Sequence, residues 1–476
     1  MAHPANRESE NHTLLESVTT SAHDALRAAF DPVNGGFTQP PKSPQIDALD
    51  FLLSRYSGSG DREALHMACH TLRRMALSGI NDHAGGGFFV RAHDAWWMRP
   101  AFEKRTADNA RLAMLYVDAW HATGDSLFAR IARQTLAWAL KEARTAEGAF
   151  FAAIGTEDSG EAARYYTWTP EEAERHLEDD EYALVRLRFG LDDKPNLGRR
   201  WHLHVYASLS ELAKTLHRPK PELEDLLASA RDKLWAARRR RPTPSRDERV
   251  DLLDNALMVR ALARAGRLLE TPELLDAAER TLAAITEHLH DGAQQQADNK
   301  TAGVLLGAVL ELLQARWRDD LLTMARKLAS ALQRSSTETK SPGAMLALHE
   351  LGVLLGEAGF VDAASITAEP RLREAAEAKR TPDLAWLTSC EQLVRPMRLA
   401  LLQGPAAQVE DWRRQAERYF NPARRVYVLA EHAPLPRPMA EEHSVADGGT
   451  RAWVCDADRC QGSLETLDAL LQALRS

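Results

Sequence analysis

The chain has 476 residues, 44% of them hydrophobic, so it is long enough to bury a sizeable core. Its 60 basic and 68 acidic residues give a formal net charge of -8 at pH 7, which excludes nucleic acid and anionic membranes as default partners. Four cysteines are too few for a disulfide framework, and no stretch contains the roughly 20 apolar residues that span a bilayer. We therefore expect a soluble, cytoplasmic globular protein.

A polar segment at residues 1–13, interpreted as an N-terminal tail, precedes a long helical region at residues 14–394. A repeated phrase marks helix starts within this region. GDREALHMACHTL from Gly60 and GDSLFARIARQTL from Gly124 match in register, and ETPELLDAAERTL from Glu270 follows the same frame. Such repeated starts, each followed by apolar residues at helical spacing, are typical of stacked helical hairpins. The repetition predicts an open solenoid or a closed α/α toroid.

Three long loops rich in glycine and aromatic residues favour the toroid. They lie at residues 34–44, 79–100 and 147–168, at alternate helix junctions. We therefore expect the loops to gather at one end of the helical region. A closed barrel that carries a site at its mouth has this arrangement.

The pattern changes near residue 395, and residues 395–476 indicate a small α/β unit. MRLALLQG, RRVYVLAE and RAWVC each indicate a strand, VEDWRRQAERYF indicates an amphipathic helix, and SLETLDALLQALRS indicates the final helix. Cys455 and Cys460 are spaced too loosely for a zinc knuckle or a C-x2-C redox motif. We expect two buried thiols there, with a redox or metal role as the alternative.

The stretch GGGFFVRAHDAWWMRPAFEKRTADNA, from Gly85 to Ala110, carries the strongest chemical signal. Its glycines permit positive φ angles and a close approach to another surface. Its aromatic and ionisable side chains suit a sugar ring, whose C–H faces stack on tryptophan while its hydroxyls bond carboxylates. A second interpretation stays open, in which the aromatic residues seal the hairpin and Glu103 and Lys104 form structural ion pairs.

Histidines supply two weaker candidates. His66, Cys69 and His70 share a helix face at a spacing that could bind a metal, although we predict no metal site. His202 and His204 alternate in the extended segment WHLHV and could point into a cleft. No G-x-S-x-G motif, phosphate-binding loop or dinucleotide fingerprint occurs, so no cofactor is expected.

Several of these stretches occur together in one known family. The order FDPVNGGFTQPPKSP, GINDHAGGGFFVRAHDAWWMRPAFEKRTADNARLAMLY, RYYTWTPEE and AWVCDADRC resembles the YyaL and spermatogenesis-associated family of thioredoxin-like-domain proteins. The resemblance implies a mainly α fold, an (α/α)6 toroid of the six-hairpin glycosidase and N-acylglucosamine 2-epimerase type, followed by the α/β unit. It also implies an N-terminal thioredoxin-like domain, which we expect this chain to lack because only residues 1–13 precede the first predicted helix.

The resemblance further implies a site at the toroid mouth. The residues expected to bind a ligand are Gly86, Gly87, Asp94, Trp96, Phe102, Lys104, Asn109, Glu157, Tyr166 and Trp168. Ala101 stands where the family has a histidine suited to proton transfer, which leaves Glu103 and Asp108 as the catalytic candidates. Glu157 and His93 are further candidates for that role.

These observations predict a divergent toroid protein that binds a small polar, sugar-like ligand or a protein partner at its mouth, without assured catalysis. A second interpretation is an active sugar epimerase or isomerase that uses Glu103 and Asp108. A third is a partner subunit for a separate thioredoxin-like protein. None of the three requires nucleic acid, a membrane or a cofactor.

Overall fold

The computed structural model describes residues 4–155, 160–290, 298–335, 341–365, 368–378, 383–395, 397–431, 433–437 and 449–475. Helices dominate the described residues. In chain order they are α1 (Pro4–Ala29), α2 (Ile46–Ser59), α3 (Arg62–Leu77), α4 (Thr106–Thr123), α5 (Ser126–Trp138), α6 (Gly160–Tyr166), α7 (Pro170–Glu174), α8 (Asp179–Phe189), α9 (Leu209–Thr215), α10 (Lys220–Arg238), α11 (Leu252–Leu268), α12 (Pro272–His290), α13 (Asn299–Ala315), α14 (Asp319–Arg334), α15 (Pro342–Leu355), α16 (Ala358–Ser365), α17 (Ala368–Ala378), α18 (Leu384–Val394), α19 (Ala406–Ala416) and α20 (Leu467–Ala473).

The strands are short and fall into three small sheets. In chain order they are β1 (Lys104–Arg105), β2 (Ala153–Ile154), β3 (Thr167–Trp168), β4 (Trp201–His202), β5 (Arg246–Asp247), β6 (Arg398–Gln403), β7 (Arg424–Leu429), β8 (Arg451–Cys455) and β9 (Cys460–Leu464). A π-helical stretch at Ala139–Ala143 continues α5.

Six helices of the described chain form a closed inner ring. Each contacts the next in the order α2, α4, α11, α13, α15 and α18, and α18 returns to contact α2. The helices α1, α3, α5, α12, α14 and α16 alternate with them along the chain and form the outer layer, which α17 joins through its contact with α1. The predicted (α/α)6 toroid is confirmed.

The repeated Gly-Asp phrase has a local structural cause. Gly60 and Gly124 end two inner helices in the left-handed conformation, with φ of 73° and 72°. Asp61 and Asp125 then cap the next outer helices, because their carboxylates accept hydrogen bonds from backbone N–H groups of the first turn. One dipeptide therefore ends an inner helix and begins an outer one.

The three long loops gather at one end of the toroid, as predicted. Lys42 and Ala92 pair across an isolated bridge that joins the first loop to the second. The strand β2 pairs with β1 on one side and β5 on the other, which joins the second loop, the third loop and the approach to α11. These segments lead into the N-termini of inner helices, so we call this end the mouth.

Each mouth loop also docks on the outer helix that follows it along the chain. The backbone N–H of Gly36 donates to the Thr71 hydroxyl in α3 at 2.9 Å. Gly87 packs against Trp138 at the end of α5. The Thr281 hydroxyl in α12 donates to the Gly148 carbonyl at 2.9 Å. The loops therefore tie neighbouring hairpins together.

Helices α6 to α10 and the β3–β4 pair form an insertion between α5 and α11. Two apolar clusters hold it together, one around Trp168 and Phe189 and the other around Leu184 and Leu223. Ala84 from the second mouth loop belongs to the first cluster, so the insertion packs against the base of that loop.

The C-terminal unit is a four-stranded sheet in the order β7-β6-β8-β9. The strands β6 and β7 run parallel, whereas β8 and β9 are antiparallel to their neighbours. One face of the sheet packs against α19 and α20, and the other, which includes Leu401 and Tyr427, joins the core of the toroid. The predicted α/β unit is therefore present.

Three details of the sequence analysis differ from the structure. The helix α1 begins at Pro4, within the segment interpreted as a polar tail. The last helix begins later than predicted: Cys460–Leu464 pairs with β8 as a fourth strand, and α20 begins at Leu467. The prediction of two thiols is also wrong, because the β8–β9 pairing sets Cys455 opposite Cys460 and the two form a disulfide. Among the described residues, no helix has the length and apolar character of a membrane span.

Candidate functional site

The second mouth loop is built around a buried lysine. The Lys104 side chain is 0% exposed, and its ammonium donates to the Asp82 carboxylate and the Gly86 carbonyl, each at 2.7 Å. Three aromatic rings, Phe89, Trp138 and Tyr166, lie with their centroids 5.1 Å from the ammonium nitrogen. These cation–π contacts and hydrogen bonds replace the water that the charge gives up.

Arg238 extends this cluster into a neutral network of two cations and two carboxylates. Its guanidinium donates to Asp82 at 2.7 Å and to Glu142 at 2.9 Å. Burial raises the pKa of Asp82, but Arg238 and Lys104 outweigh it and hold that pKa well below its usual range. The interpretation of Lys104 as a structural ion-pair residue is confirmed, with Asp82 as its partner. We expected Lys104 to bind a ligand, but its buried side chain is not accessible to one.

Gly86 and Gly87 adopt the left-handed conformation, with φ of 85° and 76°. A Cβ atom on Gly86 would lie 2.4 Å from the Gln134 carbonyl oxygen, and one on Gly87 would lie 2.7 Å from the Trp138 ring. The close approach predicted for these glycines is confirmed. The surface that they approach is helix α5 rather than a ligand.

Most of the predicted aromatic platform belongs to the core. Phe102 and Tyr166 are buried, and their rings stack at a centroid distance of 5.5 Å. Trp168 is buried beneath the guanidinium of Arg241, 4.0 Å from its ring centroid. Trp96 differs because it is 60% exposed. It is the member of the predicted aromatic set that solvent reaches.

Two polar residues of the predicted set bind the backbone of their own loops. The Asp94 carboxylate accepts three hydrogen bonds from backbone N–H groups within the same loop, at 2.6–3.1 Å. The buried Asn109 side chain accepts from the Phe88 N–H at 2.6 Å and donates to the Phe88 carbonyl at 3.0 Å. It also donates to the Arg105 carbonyl at 2.9 Å. Both residues fix the shape of the loop.

The histidine candidates do not form a site. His202 and His204 are buried, so the expectation that they point into a cleft is wrong. A ring nitrogen of His202 lies 2.6 Å from the Gly79 carbonyl, and burial lowers the pKa of His204 to about 4. His66 and His70 pack ring against ring at 5.7 Å, and no cluster of metal-ligating side chains occurs among the described residues. His93 is exposed, and Glu157 lies outside the described residues.

A cleft of about 310 Å³ opens at the mouth beside the first turn of α4. Ser43, Gln45, Arg91, Arg105, Asp108 and Arg111 are among its lining residues. Arg105 donates to the carboxylate of Glu103 at 2.7 Å, and Arg111 pairs with Asp47. Because these two cations are already neutralised, the cleft is polar without a strong excess of positive charge.

Asp108 is the carboxylate among the described residues that line this cleft. It is half-buried, and no described residue donates a hydrogen bond to it. Burial raises its pKa, Glu103 adds to that effect, and Arg105 and Arg111 oppose it. A carboxylate in this setting gains from any ligand that supplies O–H or N–H donors.

A second carboxylate approaches Asp108 from the neighbouring inner helix. Asp108 and Asp254 occupy the same position, third in α4 and third in α11, and these two helices pack together. Burial raises the pKa of Asp254 to about 6, and the carboxylates of Asp251 and Asp108 contribute to the shift. Asp254 is not among the site residues predicted from the sequence. The signal was present, because Asp-Asn recurs at the start of both helices.

The sequence is similar to curated proteins over part of its length. It is 30% identical over 307 residues to spermatogenesis-associated protein 20 of Homo sapiens, a match that covers 58% of this chain and 39% of that protein. Over these residues the chain is homologous to spermatogenesis-associated protein 20. An uncharacterized protein of Caenorhabditis elegans is 26% identical over 308 residues, covering 59% of this chain and 42% of that one. The chain thus spans about two fifths of the length of the curated relatives it matches. No protein-family model matches it.

The fold also matches a solved structure. A D-mannose isomerase superposes with a TM-score of 0.51 and 11% sequence identity, over 83% of this chain and 99% of that chain. At this identity the likeness supports the toroid fold and carries no information on chemistry. The homology to spermatogenesis-associated protein 20 and the toroid fold therefore agree with the resemblance noted in the sequence.

Proposed function

We propose that the chain binds a small polyhydroxylated ligand, of the size and polarity of a sugar, in the mouth cleft. The observation that carries the proposal is the half-buried Asp108 carboxylate, which receives no hydrogen bond from the described residues and lines a cleft of about 310 Å³. Sugar hydroxyls are donors that satisfy such a carboxylate, and a pocket of this size accommodates one or two rings.

The surroundings of Asp108 support a neutral ligand. Ser43 and Gln45 contribute neutral polar groups, whereas Arg105 and Arg111 already hold carboxylate partners. An anionic ligand would compete with those partners for Arg105 and Arg111. We include Trp96 in the proposal, since its exposed ring can stack on the C–H face of a sugar.

A second candidate function is proton transfer on that sugar. Asp254, whose pKa is raised to about 6, has the acidity that general acid–base catalysis near neutral pH uses. In this alternative Asp108 and Asp254 form the working pair, while Glu103 stays bound to Arg105. An epimerase or isomerase activity requires two such groups on either side of the reacting carbon.

The experiment is a calorimetric titration with neutral mono- and disaccharides, including D-mannose, the sugar in the name of the toroid neighbour. We expect saturable binding by the wild-type chain and its loss in Asp108→Asn. Asp319→Asn is the control, because it removes an exposed carboxylate from the first turn of the outer helix α14. The absence of saturable binding across the panel, or equal loss in the control, would refute the proposal.

Turnover measured on the same sugars separates the two candidates. If the chain is an enzyme, Asp254→Asn abolishes product formation and retains substrate binding. If it is a binding protein, the wild-type chain forms no product from any sugar that it binds. The partnership with a separate thioredoxin-like protein stays a prediction, which co-purification with such a protein would test.

A further inference from the structure

A second cavity lies outside the ring of inner helices, between the outer helix α5 and the insertion. Its volume is about 250 Å³, and three arginines from three different helices line it. Arg130 comes from α5, Arg188 from α8 and Arg231 from α10. This cavity shares no lining residue with the mouth cleft.

These three guanidinium groups have no carboxylate partner in the described part of the chain. Arg188 is 5% exposed, and its Nε has no hydrogen-bond partner there, although another nitrogen donates to the Ala207 carbonyl at 2.9 Å. Arg231 donates through Nε to the His83 carbonyl at 2.7 Å. Donor groups buried in this way are costly unless a ligand or ordered water accepts from them.

Burial and nearby positive charges lower the pKa of two of these arginines, Arg188 and Arg231. Burial, together with the positive charges of Arg130 and Arg231, lowers the pKa of Arg188 to about 10. Burial, with the positive charges of Arg130 and Arg238, lowers the pKa of Arg231 to about 10, although the carboxylates of Asp82 and Asp232 oppose the shift. Asp82 is already committed to Lys104 and Arg238, so it does not neutralise the cavity.

The charge of the cavity fits a doubly charged anion. Among the described lining residues, Glu224 is the carboxylate, and it is an exposed residue whose charge acts on Arg130. Three positive charges less one negative charge leave two positive charges. A phosphomonoester carries about −1.5 to −2 at pH 7, and guanidinium forks match phosphate oxygens in geometry.

We propose that this cavity binds the phosphate group of a small organic phosphate. The three guanidinium groups hold the phosphate oxygens. The remaining wall is largely apolar and includes Leu77, Ile131, Phe189 and Leu227, which suits the organic part of the ligand. The site is separate from the mouth, so the proposal is independent of sugar binding there.

The test is a titration of the full chain with inorganic phosphate and with phenyl phosphate, at an ionic strength held constant with chloride. Constant ionic strength removes general screening from the comparison. We expect saturable binding of both, tighter for phenyl phosphate because its ring contacts the apolar wall. Benzoate carries a similar ring and a single negative charge, so it should bind at least about tenfold more weakly than phenyl phosphate, a difference of about 1.4 kcal/mol.

Three variants locate the site. Arg130→Gln should weaken phosphate binding by about tenfold or more, and it should fold normally because Arg130 is half-buried and forms no hydrogen bond to a described residue. Glu224→Gln should tighten binding, which a purely structural role for the cluster would not produce. Arg186→Gln, on the exposed side of the same helix as Arg188, should leave binding unchanged.

Saturable phosphate binding with this pattern of variants would support the proposal. Binding of chloride, benzoate and phosphate with equal affinity would overturn it, as would unchanged affinity in a folded Arg130→Gln variant. Loss of binding in Arg186→Gln equal to that in Arg130→Gln would also overturn it. Asp108→Asn should bind phosphate normally, which distinguishes this cavity from the mouth.

Discussion

Asn109 and Asn255 make the same three hydrogen bonds in two neighbouring inner helices. Asn109 binds both backbone polar groups of Phe88 and the carbonyl four residues before it. Asn255 does the same with Phe150, at 2.7 and 3.0 Å, and with the carbonyl of Asp251 at 2.8 Å. Each amide thereby fixes a mouth loop to the first turn of the helix that carries it.

Asn109→Ala should destabilise the chain, because it leaves the buried N–H and C=O of Phe88 without their partner. We expect the free energy of unfolding to fall by about 2–4 kcal/mol, from two unsatisfied backbone groups. Asn255→Ala should cost a similar amount. Urea denaturation measures both, with Ser59→Ala as the control, since that exposed hydroxyl bonds only to its own helix. A loss below 0.5 kcal/mol would contradict the role given to the amide, given that surface changes fall within about ±0.5 kcal/mol.

Gly86→Ala and Gly124→Ala separate backbone strain from a packing clash. Both glycines have positive φ, but a Cβ on Gly86 meets the Gln134 carbonyl at 2.4 Å, whereas one on Gly124 meets nothing within 4 Å. Gly124→Ala should cost about 1 kcal/mol from the left-handed conformation. Gly86→Ala should cost at least about 2 kcal/mol more, because the loop must move away from α5. Equal melting temperatures for the two variants would show that the loop is not docked as described.

Lys104→Met should be strongly destabilising, although methionine fills a similar volume. The variant removes one of the two cations that hold Asp82 ionised in the core. Breaking a buried ion pair costs about 3–5 kcal/mol, since the remaining charge is left buried. Lys141→Met is the control, because its ion pair with Asp232 is exposed and should contribute at most about 1 kcal/mol. Chemical denaturation measures the free energy of unfolding of both variants. An equally small loss in the two would show that Lys104 has no structural role.

Asp254 should make stability depend on pH in the acidic range. Its pKa rises from the ordinary 3.8 to about 6 in the folded chain, because of burial and the carboxylates of Asp251 and Asp108. Between these two values the folded state binds more protons than the unfolded state, so the free energy of unfolding falls as pH rises through this window. The ionised Asp254 carboxylate therefore lowers the free energy of unfolding at neutral pH.

Asp254→Asn removes that effect. We expect it to raise the free energy of unfolding by about 1 kcal/mol near pH 7, a value reduced for the partial exposure of the group, and by almost nothing below about pH 4. Denaturation of both proteins across this pH range measures the difference. A difference that stays constant with pH would show that the pKa of Asp254 is not raised.

The fold followed from the sequence because its signals are local and repeated. The Gly-Asp phrase recurs at the junction of inner and outer helices, and the glycine-rich loops recur at every second junction. The strand β9 was missed because the segment CQGSL has little β pattern of its own and is a strand through its pairing with β8. The periodicity of the segment does not reveal this strand, because the strand depends on pairing with β8.

The site was less predictable because the direction in which a side chain points depends on partners that are distant in the sequence. Lys104 is followed within a few residues by Asp108, yet Lys104 turns inward to the Asp82 carboxylate that Arg238 also binds, while Asp108 faces the cleft. Arg238 lies in the insertion, far along the chain, and no spacing rule connects it to the second loop. The three arginines of the second cavity, between α5 and the insertion, likewise come from separate helices, so no contiguous motif marks them.

The docking of each mouth loop on the helix that follows it has a consequence for synthesis on the ribosome. A loop leaves the ribosome before the helix that holds it, so the nascent hairpin is incomplete until the next one has emerged. The loop at Gly148 waits longest, because its helix α12 follows the whole insertion. Contact between α18 and α2 comes last, and closes the toroid only when nearly all of its residues have been translated.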